Sequence, residues 1–380
     1  MSRPVVAVNL LWLVPGVVGG SEGLLVAVLE GVADLGQDDL DIRLLVQDSL
    51  TEAHPRLIDS FQTYCWHGSG ANRARRVVAE NTWLRRRATG MGASLIHHAG
   101  GIVPPVPRTP CVVTIHDLQP LELPQNFGFA KRAYISSMVG RSARAARVVM
   151  TPSEFTRMSV IDRLRVDPTR VVVVPHGVHR ADREEDPAEE VLDRYGIVGS
   201  YFLYPAITYP HKNHATLLRA FAWLLDDEPD LTLVLTGGEG PSERDVVGLV
   251  DSLGLGDRVR RPGRVPDEDL DALYRGATGV VFPSRYEGFG LPVLEAMSRG
   301  SPVVVAAAGA LPEVVGEELP RVAPDDVAGW ADAMRRLVAD AAHRRRMGEL
   351  ALERSATFSW ERSAAGLLGV YRRGLEEARA

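Results

Sequence analysis

Residues 279–300 read G-V-V-F-P-S-R-Y-E-G-F-G-L-P-V-L-E-A-M-S-R-G, and the order of residue types in them decides the class of fold. The apolar run Gly279–Pro283 has the composition of a strand buried on both faces, as in a parallel sheet. Pro292 to Arg299 predicts a helix with proline at its first position and Gly300 closing it. Strand, glycine turn and helix start in succession present backbone N–H groups and a positive dipole end to an anion. Glu287 and Glu295, eight positions apart, flank that anion site, one in the loop and one expected on the first helical turn. Carboxylates repel phosphate but accept hydrogen bonds from hydroxyls. A phosphate between two hydroxyl-rich groups is the arrangement of ribose, diphosphate and hexose in a nucleotide sugar.

The same alternation of apolar runs and helical stretches extends through the chain, the pattern of doubly wound parallel sheets. In the first half, strands are expected at Val5–Leu11, Ile42–Val46, Leu95–His97, Val112–Ile115, Arg147–Met150 and Val171–Val174. The charged stretch Ala181–Pro187 (A-D-R-E-E-D-P) reads as a linker. Strands restart at Tyr201–Tyr204, Leu231–Leu235, Val259–Arg260, Gly279–Phe282 and Pro302–Ala306. A length of 380 residues suits two or three domains, each with its own core.

Composition narrows the class further. Apolar content of 45% and charged content of 24% are those of a soluble globular protein. Two cysteines, Cys65 and Cys111, give no disulfide framework and show no metal-ligand cluster in sequence, so a reducing cytoplasm is the expected compartment and no metal site is expected. The apolar N-terminus imitates a signal peptide, but Asn9, Pro15 and Gly16 interrupt it, and a buried first strand followed by the glycine loop Gly16–Gly20 accounts for it better. No apolar run approaches the ~20 residues that span a bilayer. Charge is uneven: residues 1–180 carry 20 Lys+Arg against 15 Asp+Glu, residues 181–380 carry 23 against 34, and the whole is −6. The basic segments Arg73–Arg87, with Trp83, and Lys131–Arg147 could meet an anionic membrane surface peripherally. A solvated helix face is the reading we place ahead of it. The acidic total argues against a nucleic-acid partner.

Several further motifs fall at strand ends, where ligands of such sheets bind. They are T-I-H-D-L at 114–118, P-H-K-N-H at 210–214, T-G-G-E-G at 236–240, P-G-R-V at 262–265 and G-G-S at 19–21. Lys212 is one of only two lysines in a chain with 41 arginines, and a flexible point charge beside a helix start suits phosphate. S-E-F-T at 153–156, V-P-H-G-V at 174–178 and G-A-L-P-E at 309–313 complete the set.

Together with E-G-F-G-L-P-V-L-E, these ordered motifs resemble the retaining glycosyltransferases of family four, over nearly the whole chain. That resemblance implies a GT-B fold: two facing Rossmann-like α/β domains, an acceptor-binding one at 1–180 and a nucleotide-sugar-binding one at 181–359, with the last helix, about 360–380, crossing back onto the first. It implies that His116 lies near the donor sugar, that Lys212 binds the diphosphate, and that Glu287 contacts hydroxyls of the transferred sugar. Glu295 would take the ribose hydroxyls, and the Gly288, Phe289, Gly290 and Leu291 segment would hold phosphate and sugar. Gly237 and Gly238 match the donor-side glycine loop, Arg264 and Val265 the loop against the base, and Gly20 the loop facing the donor from the first domain. One departure stands out. Ile207 occupies the place of the family's second phosphate-binding arginine, which leaves Lys212, the loop amides and a cation such as Arg285 for the diphosphate.

The reaction so implied is front-face transfer of a hexosyl unit, mannose first, to a hydroxyl of a glycan, lipid-linked or small-molecule acceptor. It needs no cofactor and no metal. Rhamnosyl and UDP-sugar donors follow mannose in order. Residues 97–107 and 119–129 are the expected acceptor loops, with the four-proline stretch Gly100–Pro110 a stiff loop beside the acceptor cleft. A nucleotide-sugar epimerase of the same architecture, a nicotinamide dehydrogenase and a noncatalytic nucleotide-sugar binder are the alternatives. The dehydrogenase is disfavoured because Val293 stands where a third glycine of G-x-G-x-x-G belongs.

Overall fold

A computed structural model describes residues 3–17, 19–36, 38–105, 107–126, 128–179 and 189–376. The expected linker Ala181–Pro187 lies outside the described residues. The chain forms two compact units, one of residues up to Gly177 together with those from Phe358 onward, the other Val178–Thr357.

The first unit is built on seven parallel strands: β1 (Val5–Asn9), β2 (Asp41–Gln47), β3 (Gln62–Trp66), β4 (Ala93–His98), β5 (Cys111–Thr114), β6 (Val148–Thr151) and β7 (Val171–Val173). Their spatial order is β3-β2-β1-β4-β5-β6-β7. Val6 and Val8 on one face and Ala7 on the other are fully buried, as a run without polar alternation requires when helices cover both faces. β3 was not anticipated. Its sequence Q-T-Y-C-W is an edge strand, exposed or half-buried along its length, and so carries neither a buried run nor an alternation.

The second unit has six parallel strands: β8 (Tyr201–Pro205), β9 (Thr232–Thr236), β10 (Val259–Gly263), β11 (Gly279–Phe282), β12 (Val303–Ala306) and the two-residue β13 (Arg321–Val322), in the order β10-β9-β8-β11-β12-β13. β13 is too short to leave a pattern in the sequence.

In each sheet the chain begins in the middle, winds outward to one edge, then returns to build the other half. The winding reverses between β1 and β4 in the first sheet and between β8 and β11 in the second. Such reversal points open a crevice beyond the C-terminal strand ends.

The last helix, Trp360–Glu376, belongs to the first unit. Ala364, Leu367, Leu368, Val370, Tyr371 and Leu375 join the core of Val6, Leu29, Leu95 and Val112. Each such side chain, fully buried, contributes about 1.5–3 kcal/mol. Gly177 lets the chain pass this helix closely: a Cβ there would stand 2.3 Å from the Trp360 nitrogen.

Candidate functional site

At the reversal point of the second sheet, the loop after β8 meets the loop after β11. Lys212 ends a 3-10 turn, Pro210–Lys212, and its Nζ donates to Glu287 Oε1 at 2.7 Å, both side chains being largely buried. Three contacts hold the two loops in register. The Arg285 N–H donates to the His211 carbonyl at 2.8 Å. Asn213 Nδ2 donates to the Pro283 carbonyl at 3.1 Å. The Tyr204 hydroxyl donates to the Lys212 carbonyl at 2.7 Å and lies 3.0 Å from Ser284 Oγ. On the other side, the Ala310 N–H donates to the Glu287 carbonyl at 3.0 Å, and a Cβ on Gly309 would stand 2.7 Å from the Glu287 nitrogen. The G-A-L-P-E motif thus fixes the backbone that carries Glu287.

The glycine turn forms the helix start anticipated from sequence, with its boundary corrected. The helix is Leu291–Ser298, capped by Gly290 at φ 107°. That left-handed conformation, with Leu311 Cδ2 only 2.7 Å from any Cβ, admits glycine. Proline therefore sits at the second helical position, and Gly300, at φ 76°, closes the helix just past the Arg299 cap, its N–H returning to the Met297 carbonyl at 3.0 Å. Glu295 is the fifth helical residue, just past the first turn where it was expected. The N–H groups of Val293 and Leu294 both return to the Gly290 carbonyl. Pro292 has none to give. Among the described residues no backbone acceptor takes the Gly290 and Leu291 amides.

Glu295 receives the Tyr274 hydroxyl at 3.2 Å on Oε2. Burial pushes its carboxyl above the ordinary carboxylate range, against the pull of Arg299 and the tyrosine. Arg299 is itself held by Asp271 at 2.6 Å, and Asp271 also pairs with Arg275. Tyr274, on the helix before β11, was missed in sequence because nothing in its own segment signals a partner 21 residues on.

The donor-side glycine loop packs on the β8 loop. Gly237, at φ 119°, brings its Cα against the Ala206 backbone, where a Cβ would stand at 2.8 Å. A Cβ on Gly238 would stand further off, 4.0 Å from Ile207 Cγ1. Ile207 is 42% exposed beside them. Thr208 accepts the Gly240 N–H at 2.7 Å and donates to Glu243 at 2.8 Å, and Arg261 pairs with the same carboxylate. Arg264 is exposed and Val265 buried just after β10. The Arg285 guanidinium donates to Asp325 at 2.5 Å and 3.0 Å in an exposed pair. Asp325 lies 40 residues downstream, a separation no local pattern reveals.

The first unit places neutral polar groups at its own reversal point. Asn9, ending β1, lies 3.3 Å from His98 Nδ1, ending β4. His97 is fully buried, with Nδ1 2.9 Å from the Tyr371 hydroxyl and Nε2 2.7 Å from Thr114 Oγ1. Burial depresses His97 and His98 to about 3. His116 follows β5. Burial also lowers it, while Asp117 and the Ala99 backbone pull it upward. Its ring stacks on His176, from the V-P-H-G-V motif, at 5.9 Å and 28°. Asp117 caps the next turn by accepting the Gln119 N–H at 2.9 Å. Gly20 opens the helix Gly20–Asp34, and Glu22 two residues on ties the Gly16 N–H at 2.7 Å. Trp83 of the basic segment packs toward the core with Arg87 over its ring at 5.9 Å. Exposed apolar surface there falls instead to Val77 and Val78.

Two parallel α/β units of this topology, with a glycine-turn helix start at the second reversal point, define a glycosyltransferase of the GT-B fold. The chain belongs to the glycosyltransferases of family four. The family pattern for glycosyl transferases group 1 matches residues 199–354, and that for Glycosyltransferase Family 4 matches residues 18–182. The chain is similar to the O-antigen chain mannosyltransferase B of Escherichia coli, 31% identical over 281 residues that cover 73% of this chain and 74% of the relative. It is also similar to a D-inositol 3-phosphate glycosyltransferase of Salinispora tropica, 38% identical over 238 residues, where the match spans 58% of this chain and 49% of the relative. Among solved structures, the sucrose-phosphate synthase of Thermosynechococcus elongatus superposes with a TM-score of 0.76 over 97% of this chain and 98% of that one, at 22% identity. Among the described residues no helix is long and apolar enough to cross a membrane.

Proposed function

We propose that the protein transfers a hexosyl unit, mannose first, from a nucleoside diphosphate sugar to a hydroxyl acceptor, with retention and without a catalytic metal. The observation that carries this reading is the Lys212–Glu287 pair, 2.7 Å long, at the reversal point whose helix start also offers the Gly290 and Leu291 amides. An ammonium and two amides converging on one anion site stabilise charge that develops on a departing diphosphate. The phosphate competes with Glu287 for Lys212. Once released, the Glu287 carboxylate accepts hydrogen bonds from the transferred sugar. Front-face transfer, rather than a covalent glycosyl-enzyme, is the route the family resemblance implies for it. Glu295 accepts the ribose hydroxyls, and His116, neutral against His176, donates to the sugar. The second unit is the donor domain and the first the acceptor domain in this reading. Mannose comes first because the Escherichia coli relative is a mannosyltransferase.

Calorimetric titration with GDP, UDP and dTDP tests it. One base should bind, with at least tenfold loss in Glu295→Ala; no binding by a folded protein would end the proposal. Donor turnover should survive chelation of divalent ions, and the anomeric configuration of the product, read by NMR, decides retention. Product from donor alone, without acceptor, would instead identify an epimerase. A peripheral contact with anionic bilayers would rest on Val78, 61% exposed among Arg73, Arg75 and Arg76, and co-sedimentation with anionic against neutral vesicles decides it.

A further inference from the structure

At the far edge of the first sheet, β2 and β3 run in parallel with Val46 opposite Cys65 and Gln47 opposite Trp66. Asp48 follows β2 directly and His67 follows β3, so the register brings both beside Cys65. The Cys65 Sγ lies 3.1 Å from Asp48 Oδ1, and His67 Nδ1 lies 2.9 Å from the same oxygen. One ligand atom from each of the three falls within 4.8 Å of the other two. The sequence conceals this cluster, because Asp48 is 17 residues from Cys65 and on another strand.

We propose that Asp48, Cys65 and His67 form a binding site for a borderline-soft divalent cation, zinc foremost, outside the transfer site. Bonds of about 2.3 Å to sulfur and about 2.0–2.2 Å to nitrogen and oxygen place tetrahedral ligands roughly 3.3–3.6 Å apart. The two spacings to Asp48, 3.1 Å and 2.9 Å, reach that arrangement by a few tenths of an ångström of side-chain adjustment, and Cys65 and His67 lie within 4.8 Å of each other. Thiolate, imidazole and a single carboxylate select zinc over magnesium or calcium, which prefer all-oxygen shells. His67 and Asp48 are exposed, which leaves the fourth position open to water. On binding, the cation forms one bond to sulfur and the thiol proton leaves to solvent. The imidazole binds through Nδ1 with its own proton on Nε2. The dication, thiolate and carboxylate then sum to zero.

Nothing in this site depends on the donor reading, so its test stands apart from that proposal. Tag-free, reduced protein is titrated with Zn2+ by calorimetry in two buffers of different ionisation enthalpy, and with Co2+ by absorbance. The expected result is one ion per chain, one proton released, and a thiolate-to-cobalt charge-transfer band in the near ultraviolet. Cys65→Ser should abolish the band, and both it and His67→Ala should weaken Zn2+ binding at least tenfold. Cys111→Ser, which removes a thiol buried in the core, should leave both unchanged. Absence of the band in wild type, or its persistence in Cys65→Ser, would overturn the site. Because the cluster lies at a sheet edge, the variants should melt with wild type without metal, and the Zn2+-dependent rise in melting temperature should vanish only in the ligand variants.

Discussion

Replacing Glu287 by glutamine separates the two roles of the Lys212–Glu287 pair. The pair spans 2.7 Å, with side chains 21% and 15% exposed. Unit charges ~4 Å apart attract by about 4 kcal/mol gross at an effective dielectric of ~20. Desolvation removes much of that, and the net worth falls between the ~0–1 kcal/mol of exposed pairs and the ~3–5 kcal/mol cost of breaking a buried one. We take about 1–2 kcal/mol. A nucleoside diphosphate must displace Glu287 from Lys212 to bind, so it forgoes that amount. Glu287→Gln keeps the shape and frees the ammonium. Whichever of GDP, UDP or dTDP binds wild type should therefore bind Glu287→Gln about tenfold tighter, as ~1.4 kcal/mol is tenfold. Lys212→Met should weaken it at least tenfold. Turnover should fall about 10²–10³-fold in Glu287→Gln, because the interaction lost is one made to the reacting sugar. Calorimetric titration of both variants and of the double variant at one fixed salt concentration measures the first part. Weaker nucleotide binding in Glu287→Gln, or unchanged binding in Lys212→Met, would refute the competition.

Four further outcomes follow from single residues. Burial raises the Glu295 carboxyl in the folded state, so its contribution to stability is present below the ordinary carboxylate range and is lost as pH rises through the folded value; Glu295→Gln should melt higher than wild type at neutral pH, with the difference vanishing in acid, while nucleotide binding weakens. Gly290→Ala places a Cβ 2.7 Å from Leu311 at φ 107°; it should cost about 1–3 kcal/mol in denaturant unfolding and remove nucleotide binding. Tyr371→Phe strands His97 Nδ1 in the core and should cost about 1–3 kcal/mol, read as a lower urea midpoint with unchanged slope. Burial holds His97, His98 and His176 at about 3 against an ordinary 6.5, so stability present above the ordinary value should be lost as pH falls, by up to about 1.4 kcal/mol per pH unit per histidine; His98→Gln should lessen the slope by about one proton, and a flat profile from neutrality to the carboxylate range would contradict their burial as neutral rings.

What could be read from sequence was what depends on near neighbours. The valine-rich apolar runs of β1, β11 and β12 each appear where they were expected to within a residue or two. The glycine turn before Leu291 was legible because strand, glycine and proline follow one another in a fixed order. Its exact start was not, since only the backbone shows that Gly290 adopts the left-handed conformation and so becomes the cap. Partners brought in from a distance were invisible. Asp325 occupies Arg285, Tyr274 reaches Glu295, His176 covers His116, and Asp48 joins Cys65, each across a fold-dependent separation. The edge strand β3 was missed for a different reason: an edge needs neither a continuous apolar run nor a clean alternation.

Each unit reverses its winding at one point, and each sets polar groups there, but of different kinds. The second unit gathers charge: Lys212, Glu287, Glu295 and a helix start. The first gathers groups that burial keeps uncharged, Asn9, His98, His97 and the stacked His116 and His176. Burial lowers His116 from its ordinary value, against the upward pull of Asp117 and the Ala99 backbone, and so favours the neutral ring. In the proposed reaction, negative charge developing on a leaving diphosphate is met by Lys212 and the Gly290 and Leu291 amides of the second unit. This concentrates the transition-state electrostatics on one side chain, which is why the Lys212 and Glu287 variants are expected to dominate over any substitution in the first unit.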